Sequence, residues 1–396
     1  MPDIQSNNPE HALLPKLIAA LATVNDPEIR KPITDLGMVE RVDIGEDGSV
    51  FVRVLLTIAG CPLKGPIERD VTAAVAAVAG VTDVRVELGV MTDEQRSELR
   101  KGLNGGRAER DIPFARPDSP TRVILVASGK GGVGKSSVTV NLAMGLAQAG
   151  HSVGVLDADI YGHSIPAMLG VADARPTSIG DDNESMILPV PTNGIQVMSI
   201  GMLKPERSQV VAWRGPILDR ALTQMLADVH WSDPDFLIVD MPPGTGDVQI
   251  SLGQKLPNAE VIVVTTPQAA AAEVAERAGT MASMMNQKVI GVVENMAYLE
   301  VECPHCNEGH QVEIFGSGGG REVANVLTTR LGYEVELLGR VPLDPDLRSG
   351  GDEGTPVIVA APHHPSSVVL RQLAETIGQR RRSLVGMRLG LTPTGK

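Results

Sequence analysis

From Thr121 onward, unbroken apolar runs alternate with amphipathic stretches. The runs at 122–127, 152–157, 195–200, 235–240, 260–266, 289–294 and 335–341 predict strands. Helical periodicity at about 135–149, 216–230, 269–286, 319–331 and 364–383 places helices between or after them. Runs such as Phe236-Leu-Ile-Val239 and Val261-Ile-Val-Val264 show no polar alternation. Such strands are buried on both faces, which predicts an α/β fold: a mostly parallel sheet covered by helices. The first hundred residues follow another rhythm. His11 to Val24 sets Leu13, Leu14, Leu17, Ile18 and Leu21 on one helical face. Met38–Ile44 and Val50–Thr57 alternate as strands around the hairpin signal Glu46-Asp-Gly48. A helix then runs to about Val78, and Val81–Leu88 reads as a third strand. The order αββαβ predicts a small α+β domain ahead of the α/β domain. The expected boundaries are a disordered tail at 1–10, the small domain at 11–100, a charged, Gly- and Pro-containing linker at 101–120, the large domain at 121–380, and a flexible basic tail at 381–396.

Composition narrows the picture. Aromatic residues make up 2% of the 396 positions, so the cores must be aliphatic. A net charge of −13 argues against general nucleic-acid affinity. Three cysteines cannot form a disulfide framework, which points to a reducing cytoplasm. The start MPDIQSNNPE lacks the basic and apolar regions of a signal peptide, and no run is long enough to predict a membrane span. The last 21 residues carry five basic and no acidic side chains. Gly386 and Gly390 interrupt their short apolar run, favouring a frayed tail over a membrane-seeking helix.

The chemistry gathers where predicted strands end, as open α/β sheets require. Val123–Ala127 leads through Ser128 into Gly129-Lys-Gly-Gly-Val-Gly-Lys-Ser-Ser137, a complete phosphate-loop pattern. Its small residues Gly129, Gly131, Gly132, Val133 and Gly134 let backbone N–H groups cradle phosphate oxygens. Lys135 can reach the terminal phosphates of ATP, and the hydroxyls of Ser136 and Ser137 open the helix where Mg²⁺ is held. Lys130 is not required by the basic pattern. Asp240 ends an apolar strand where such proteins order Mg²⁺, and Met241-Pro-Pro-Gly-Thr-Gly-Asp247 beyond it suits a sensing switch. Asp157 and Asp159, two apart, would point the same way from an extended chain. Asp159 is the candidate for positioning water, and Asp157 for supporting Mg²⁺ or holding the loop; a turn or cap role is the plain alternative. Asn295 can read an adenine edge or simply favour a turn. Cys303-Pro-His-Cys306 directs two sulfurs at one metal. An iron–sulfur cluster, Zn²⁺ with His310 and a fourth ligand, or a redox pair are all open for it. Cys61, at a strand–helix junction, is either a ligand or nucleophile, or a semi-buried turn cysteine.

Together, Gly129–Ser136 with Lys130, Asp157-Ala-Asp-Ile-Tyr-Gly, Trp213-Arg-Gly-Pro216, Asp240–Asp247, Glu294-Asn-Met and Cys303–Cys306 resemble the Mrp/ApbC iron–sulfur cluster carriers, a branch of the deviant Walker A ATPases. Asp26-Pro-Glu28, Asp35-Leu-Gly37 and Thr57–Leu63 resemble the small domain of iron–sulfur assembly factors. His163 departs from the pattern, which usually has proline there. The resemblance implies a slow ATPase acting as a homodimer, with Lys130 contacting nucleotide across the interface. It further implies a [4Fe-4S] cluster bridged by Cys303 and Cys306 from both subunits. The partners implied are cluster assembly factors and apo iron–sulfur proteins, with no nucleic acid and no membrane. Partition- or septum-type ATPases and the nitrogenase iron protein are rival relatives; the acidic charge argues against the first, the close cysteine spacing against the second.

Overall fold

The computed structural model describes residues 4–380 except positions 28, 30, 58–63, 93, 97, 100–109, 161, 181–184, 204–214 and 307. Cys61, Trp213, Arg214, positions 101–109 of the expected linker and the basic tail therefore lie outside the described residues. The chain divides into two compact units, Met1–Arg110 with Val210–Arg220, and Asp111–Gln209 with Ala221–Lys396.

In the first unit, α1 (Leu14–Leu21) opens with Pro15 in its first turn and buries Leu14, Leu17 and Leu21, the residues one helical turn apart. Strands β1 (Val39–Ile44) and β2 (Ser49–Leu56) pair antiparallel, with Ile44 opposite Val50. Helix α2 (Lys64–Ala76) crosses over to β3 (Asp83–Val90), which runs parallel to β2. The predicted αββαβ order is present, and its core is aliphatic, centred on Leu17, Leu21, Val52, Val54, Val71 and Val75. The expected disordered tail at 1–10 is corrected in part. Val42 donates its N–H to the Gln5 carbonyl at 2.8 Å, and Asn7 exchanges side-chain hydrogen bonds with the Ile44 backbone. The edge of β1 would otherwise stand open, and this segment covers it.

The second unit begins before Thr121. Phe114, on a 3₁₀ turn at Pro113–Ala115, is buried, so the expected linker stops short of 111–120. The sheet strands are β4 (Arg122–Ser128), β5 (Val153–Asp157), β8 (Val190–Thr192), β9 (Ile195–Ser199), β10 (Phe236–Asp240), β11 (Glu260–Thr265), β12 (Lys288–Glu294) and β15 (Glu336–Arg340). Their order is β15-β12-β11-β4-β10-β5-β9-β8. All neighbours pair parallel except β8 with β9. Two small hairpins complete the strands: β6 (Thr177–Ile179) with β7 (Met186–Leu188), and β13 (Leu299–Glu302) with β14 (Gly309–Val312). The helices are α3 (Lys135–Gln148), α4 (Ile165–Met168), α5 (Gly215–Ala227), α6 (Asp247–Lys255), α7 (Ala269–Met284), α8 (Gly319–Leu331), α9 (Pro345–Glu353), α10 (Val357–Ala360) and α11 (Pro365–Gln379). The expected α/β architecture is thus observed. Helix α3 is buried against α11, and Gly145 lies tight against it: a Cβ there would sit 2.7 Å from that of Ala374. The central position of β4 delivers the phosphate loop to the middle of the sheet's carboxyl edge.

A phosphate-loop cleft and a cysteine hairpin

Strand β4 is held by β10 on one side and β11 on the other, so the turn leaving Ser128 is fixed at its root. Gly129 lies against the α7 backbone, where a Cβ would fall 2.3 Å from the Val274 carbonyl carbon. Gly132 and Gly134 take left-handed φ values of +78° and +77°, which glycine adopts without strain. Gly134 caps α3 with no side chain, leaving the first-turn N–H groups facing the loop's concave side. Lys130, Gly131, Val133, Ser136 and Ser137 line a cleft of about 730 Å³ together with Asp159 and Asn295. That volume suits a nucleotide.

At the cleft floor, Asp240 is fully buried at the end of β10. It accepts from Ser136 Oγ at 2.6 Å and Thr139 Oγ1 at 2.7 Å, and pairs with Lys135 Nζ at 2.7 Å. Ser136 and Asp240 thus bring a hydroxyl and a carboxylate oxygen together, the hard-oxygen chemistry Mg²⁺ prefers. Thr139 went unforeseen, although it stands one helical turn beyond Lys135. The loop after Asp240 is pinned by Gln249, whose Nε2 donates to the carbonyls of Pro242 and Gly244 at 2.6 and 3.0 Å. Lys130 Nζ donates to Gln268 Oε1 at 3.2 Å.

The two aspartates after β5 do different things. Asp157 is fully buried, accepting from Ser199 Oγ at 3.0 Å and from the N–H groups of Asp159 and Ile165 at 3.2 and 3.3 Å. Burial, then the Asp240 carboxylate beside it, pushes its pKa up to about 8. These contacts tie β5 to the start of α4 and to β9, so Asp157 holds the loop that follows it. Asp159 does line the cleft and accepts from the Gly162 N–H at 2.9 Å. The pair fails to point one way because β5 ends at Asp157 and the chain turns. His163 fits opposite Gly201, where a Cβ would lie 2.8 Å from its ring.

Asn295, at the end of β12, is 2% exposed. Its Nδ2 donates to the Val133 carbonyl at 2.8 Å, clamping the phosphate loop, while its Oδ1 is buried without a hydrogen-bond partner. Before it, the fully buried Glu294 accepts from Arg340 Nε at 2.9 Å and from the Gly320 N–H at 2.7 Å. Parallel register puts Glu294 beside Arg340 on neighbouring strands. Arg340 also reaches Glu313 at 3.7 Å and lies 5.5 Å over the Tyr298 ring. Tyr298 and Glu313 flank the hairpin β13–β14, so the Arg340 guanidinium braces its root. Cys303 is partly exposed and Cys306 exposed in that hairpin's turn, and both are free thiols. Backbone N–H groups of Cys306 and His305, and the Cys306 thiol, hold the Cys303 thiol below its ordinary pKa. The Cys303 and Cys306 sulfurs lie within 4.8 Å of each other and of a His310 ring nitrogen.

A parallel sheet with this loop, an acid at the next strand's end and an adjoining cleft defines a phosphate-loop nucleotide-binding protein. Comparison with known proteins narrows the class. Residues 119–378 match the model of the NUBPL iron-transfer P-loop NTPases, and residues 16–88 that of the iron–sulfur cluster assembly proteins. The chain is 56% identical over 375 residues to the iron–sulfur cluster carrier protein of Mycobacterium tuberculosis, covering 95% of this chain and 96% of that one. It is 35% identical to the carrier of Escherichia coli over 374 residues, 94% of this chain and 93% of the relative. Among solved structures it resembles a nucleotide-binding protein of Archaeoglobus fulgidus in complex with ADP, in which cobalt was found. That match has 36% identity and a TM-score of 0.52, over 65% of this chain and 94% of the other. The chain belongs to the iron–sulfur cluster carrier family of P-loop NTPases. Among the described residues no helix is long and apolar enough to cross a membrane.

Proposed function

We propose that this chain is a slow cytoplasmic ATPase that works as a homodimer, holds one [4Fe-4S] cluster as cargo between paired Cys303 and Cys306, and hands it to apo iron–sulfur proteins. The observation that carries this reading is the exposed hairpin with two free thiols, rooted through Arg340 and Glu294 beside the phosphate-loop clamp Asn295. One protomer's hairpin has two of the four thiolates a cluster wants, and a two-fold partner supplies the others.

For hydrolysis, ATP lies along the phosphate loop with adenine toward Asn295, whose unpaired Oδ1 can accept from the exocyclic amine. Lys135 exchanges Asp240 for the terminal phosphates, and Lys130 leaves Gln268 for the nucleotide across the dimer. Ser136 and Asp240 would hold Mg²⁺, which would supply positive charge against the phosphates. Asp159 orients a water, accepting its proton as the oxygen attacks the γ-phosphorus. The bond between that phosphorus and the β–γ bridging oxygen breaks, giving ADP and phosphate. The loop after Asp240 passes the change on to the dimer interface.

Anaerobic reconstitution with iron and sulfide tests the reading. The wild type should turn brown with absorbance near ~400 nm, typical of thiolate-held clusters. The double variant Cys303→Ser/Cys306→Ser should lose that colour and still bind ATP; a full cluster load in it would refute the proposal.

A further inference from the structure

A second group of ligating side chains meets where α9 and α11 begin, apart from both the phosphate loop and the cysteine hairpin. Asp344 is the N-cap of α9, and its Oδ1 accepts from the Asp346 N–H at 2.8 Å. That bond fixes the carboxylate and uses one of its oxygens. The other, Oδ2, is buried on a side chain 4% exposed and has no hydrogen-bond partner. His364, the N-cap residue of α11, brings its Nδ1 to 2.8 Å from that oxygen. Nδ1 is likewise buried without a hydrogen-bond partner, so the short contact is not an N–H···O bond. Asp346 Oδ2 lies 3.5 Å from the ring's other nitrogen, Nε2. Arg348, the next cation along α9, is engaged with Asp352 at 2.7 Å.

We infer that Asp344, Asp346 and His364 form a site for one divalent d-block cation. One oxygen of each carboxylate and one ring nitrogen lie within 4.8 Å of one another. A metal bound to imidazole and carboxylate at about 2.0–2.2 Å holds neighbouring donor atoms roughly 2.9–3.5 Å apart. Asp344 Oδ2 and His364 Nδ1, at 2.8 Å, stand close to that spacing with no hydrogen directed between them, the arrangement of two lone pairs that share an ion. A cation there satisfies a carboxylate oxygen whose burial otherwise costs free energy. The Asp346 side chain, 61% exposed, can swing to a third corner. One imidazole with two carboxylates favours Mn²⁺, Fe²⁺ or Zn²⁺ over Ca²⁺ and Mg²⁺. Such an ion ties the start of α9 to the start of α11. Asp344, Leu347 and Gly351 line the nucleotide cleft, and α11 packs against α3, the helix that leaves the phosphate loop. The ion thus stiffens one wall of the cleft and is distinct from the nucleotide's own Mg²⁺.

Manganese(II) titration of the nucleotide-free, full-length Cys303→Ser/Cys306→Ser variant is the test, because that background removes the hairpin thiols. The spin-resonance signal of free Mn²⁺ should be lost up to one equivalent per protomer, and the bound ion should show coupling to an imidazole nitrogen. His364→Ala in the same background should weaken binding at least roughly tenfold, the smallest loss that even an outer-shell partner causes. Asp346→Asn should weaken it in the same direction. Unchanged titration by either variant, or a bound ion without nitrogen coupling, would overturn the inference. ATP binding retained by His364→Ala in Mg²⁺ shows that the variant is folded; if it does not fold, the exposed Asp346→Asn decides. The site uses neither the thiols nor the phosphate loop, so the carrier reading, tested by the colour of the reconstituted wild type, stands or falls separately.

Discussion

At the scale of single residues, the charges beneath the phosphate-loop cleft are paired with each other. Lys135 and Asp240 form a buried ion pair that must separate when phosphate arrives, so both side chains serve the fold and the site at once. Lys135→Ala should abolish ATP binding in calorimetry. It should also lower stability by about 3 kcal/mol, because it leaves a buried carboxylate with hydroxyl donors but no cation. An unchanged unfolding midpoint would show that the pair is dispensable to the fold. Asp157 makes a pH prediction. Its protonated form is favoured in the folded state, so the stabilisation is complete below about pH 4 and is lost as pH rises through about 8. Denaturant unfolding of the nucleotide-free protein should thus show wild-type stability falling relative to Asp157→Asn between about pH 5 and 8; parallel curves would discard the assignment. The phosphate loop was legible in the sequence because its chemistry is local: consecutive glycines, a lysine and a hydroxyl. The loop-holding contacts of Asp157 are not legible in the sequence, because its partner Ser199 is 42 positions away. Gln268 and Arg340 were likewise invisible, since only the fold brings them to Lys130 and Glu294.

At the scale of elements, strand β12 joins both halves of the site. Its last residue Glu294 anchors Arg340, and the next residue, Asn295, clamps the phosphate loop. Arg340→Ala should leave Glu294 with a backbone donor and no cation, at a cost of about 2 kcal/mol. It should also quicken amide exchange across 299–312 while the central strands β4 and β10 stay protected. Equal exchange in both proteins would mean the hairpin does not depend on that brace. Central strands were readable as continuous apolar runs because burial on both faces writes itself into composition. The hairpin β13–β14 was missed for the opposite reason. Its strands are almost wholly exposed, so Glu300, Glu302, His310 and Gln311 give no apolar alternation to read. The sequence around Gln5 carries no signal of order because what orders it is an exposed strand edge.

At the scale of the molecule, the two units have separate aliphatic cores. Residues 1–100 expressed alone should unfold in a single cooperative transition, and the chain from Asp111 should bind ATP without them. A molten first fragment, seen as lost amide dispersion, would count against independence. The boundary itself was only half legible: a run of Gly, Pro and charge marked its start, but Phe114 shows the second unit reaching back past Thr121. The cysteine hairpin has a further consequence for how such a molecule can change over generations. Its strands are almost wholly exposed among the described residues, while its root is fastened by Arg340. Substitutions in its turn should leave folding and nucleotide binding nearly untouched, so the chemistry carried by the hairpin can drift, or be rewritten by grafting, while the phosphate-loop domain is inherited intact.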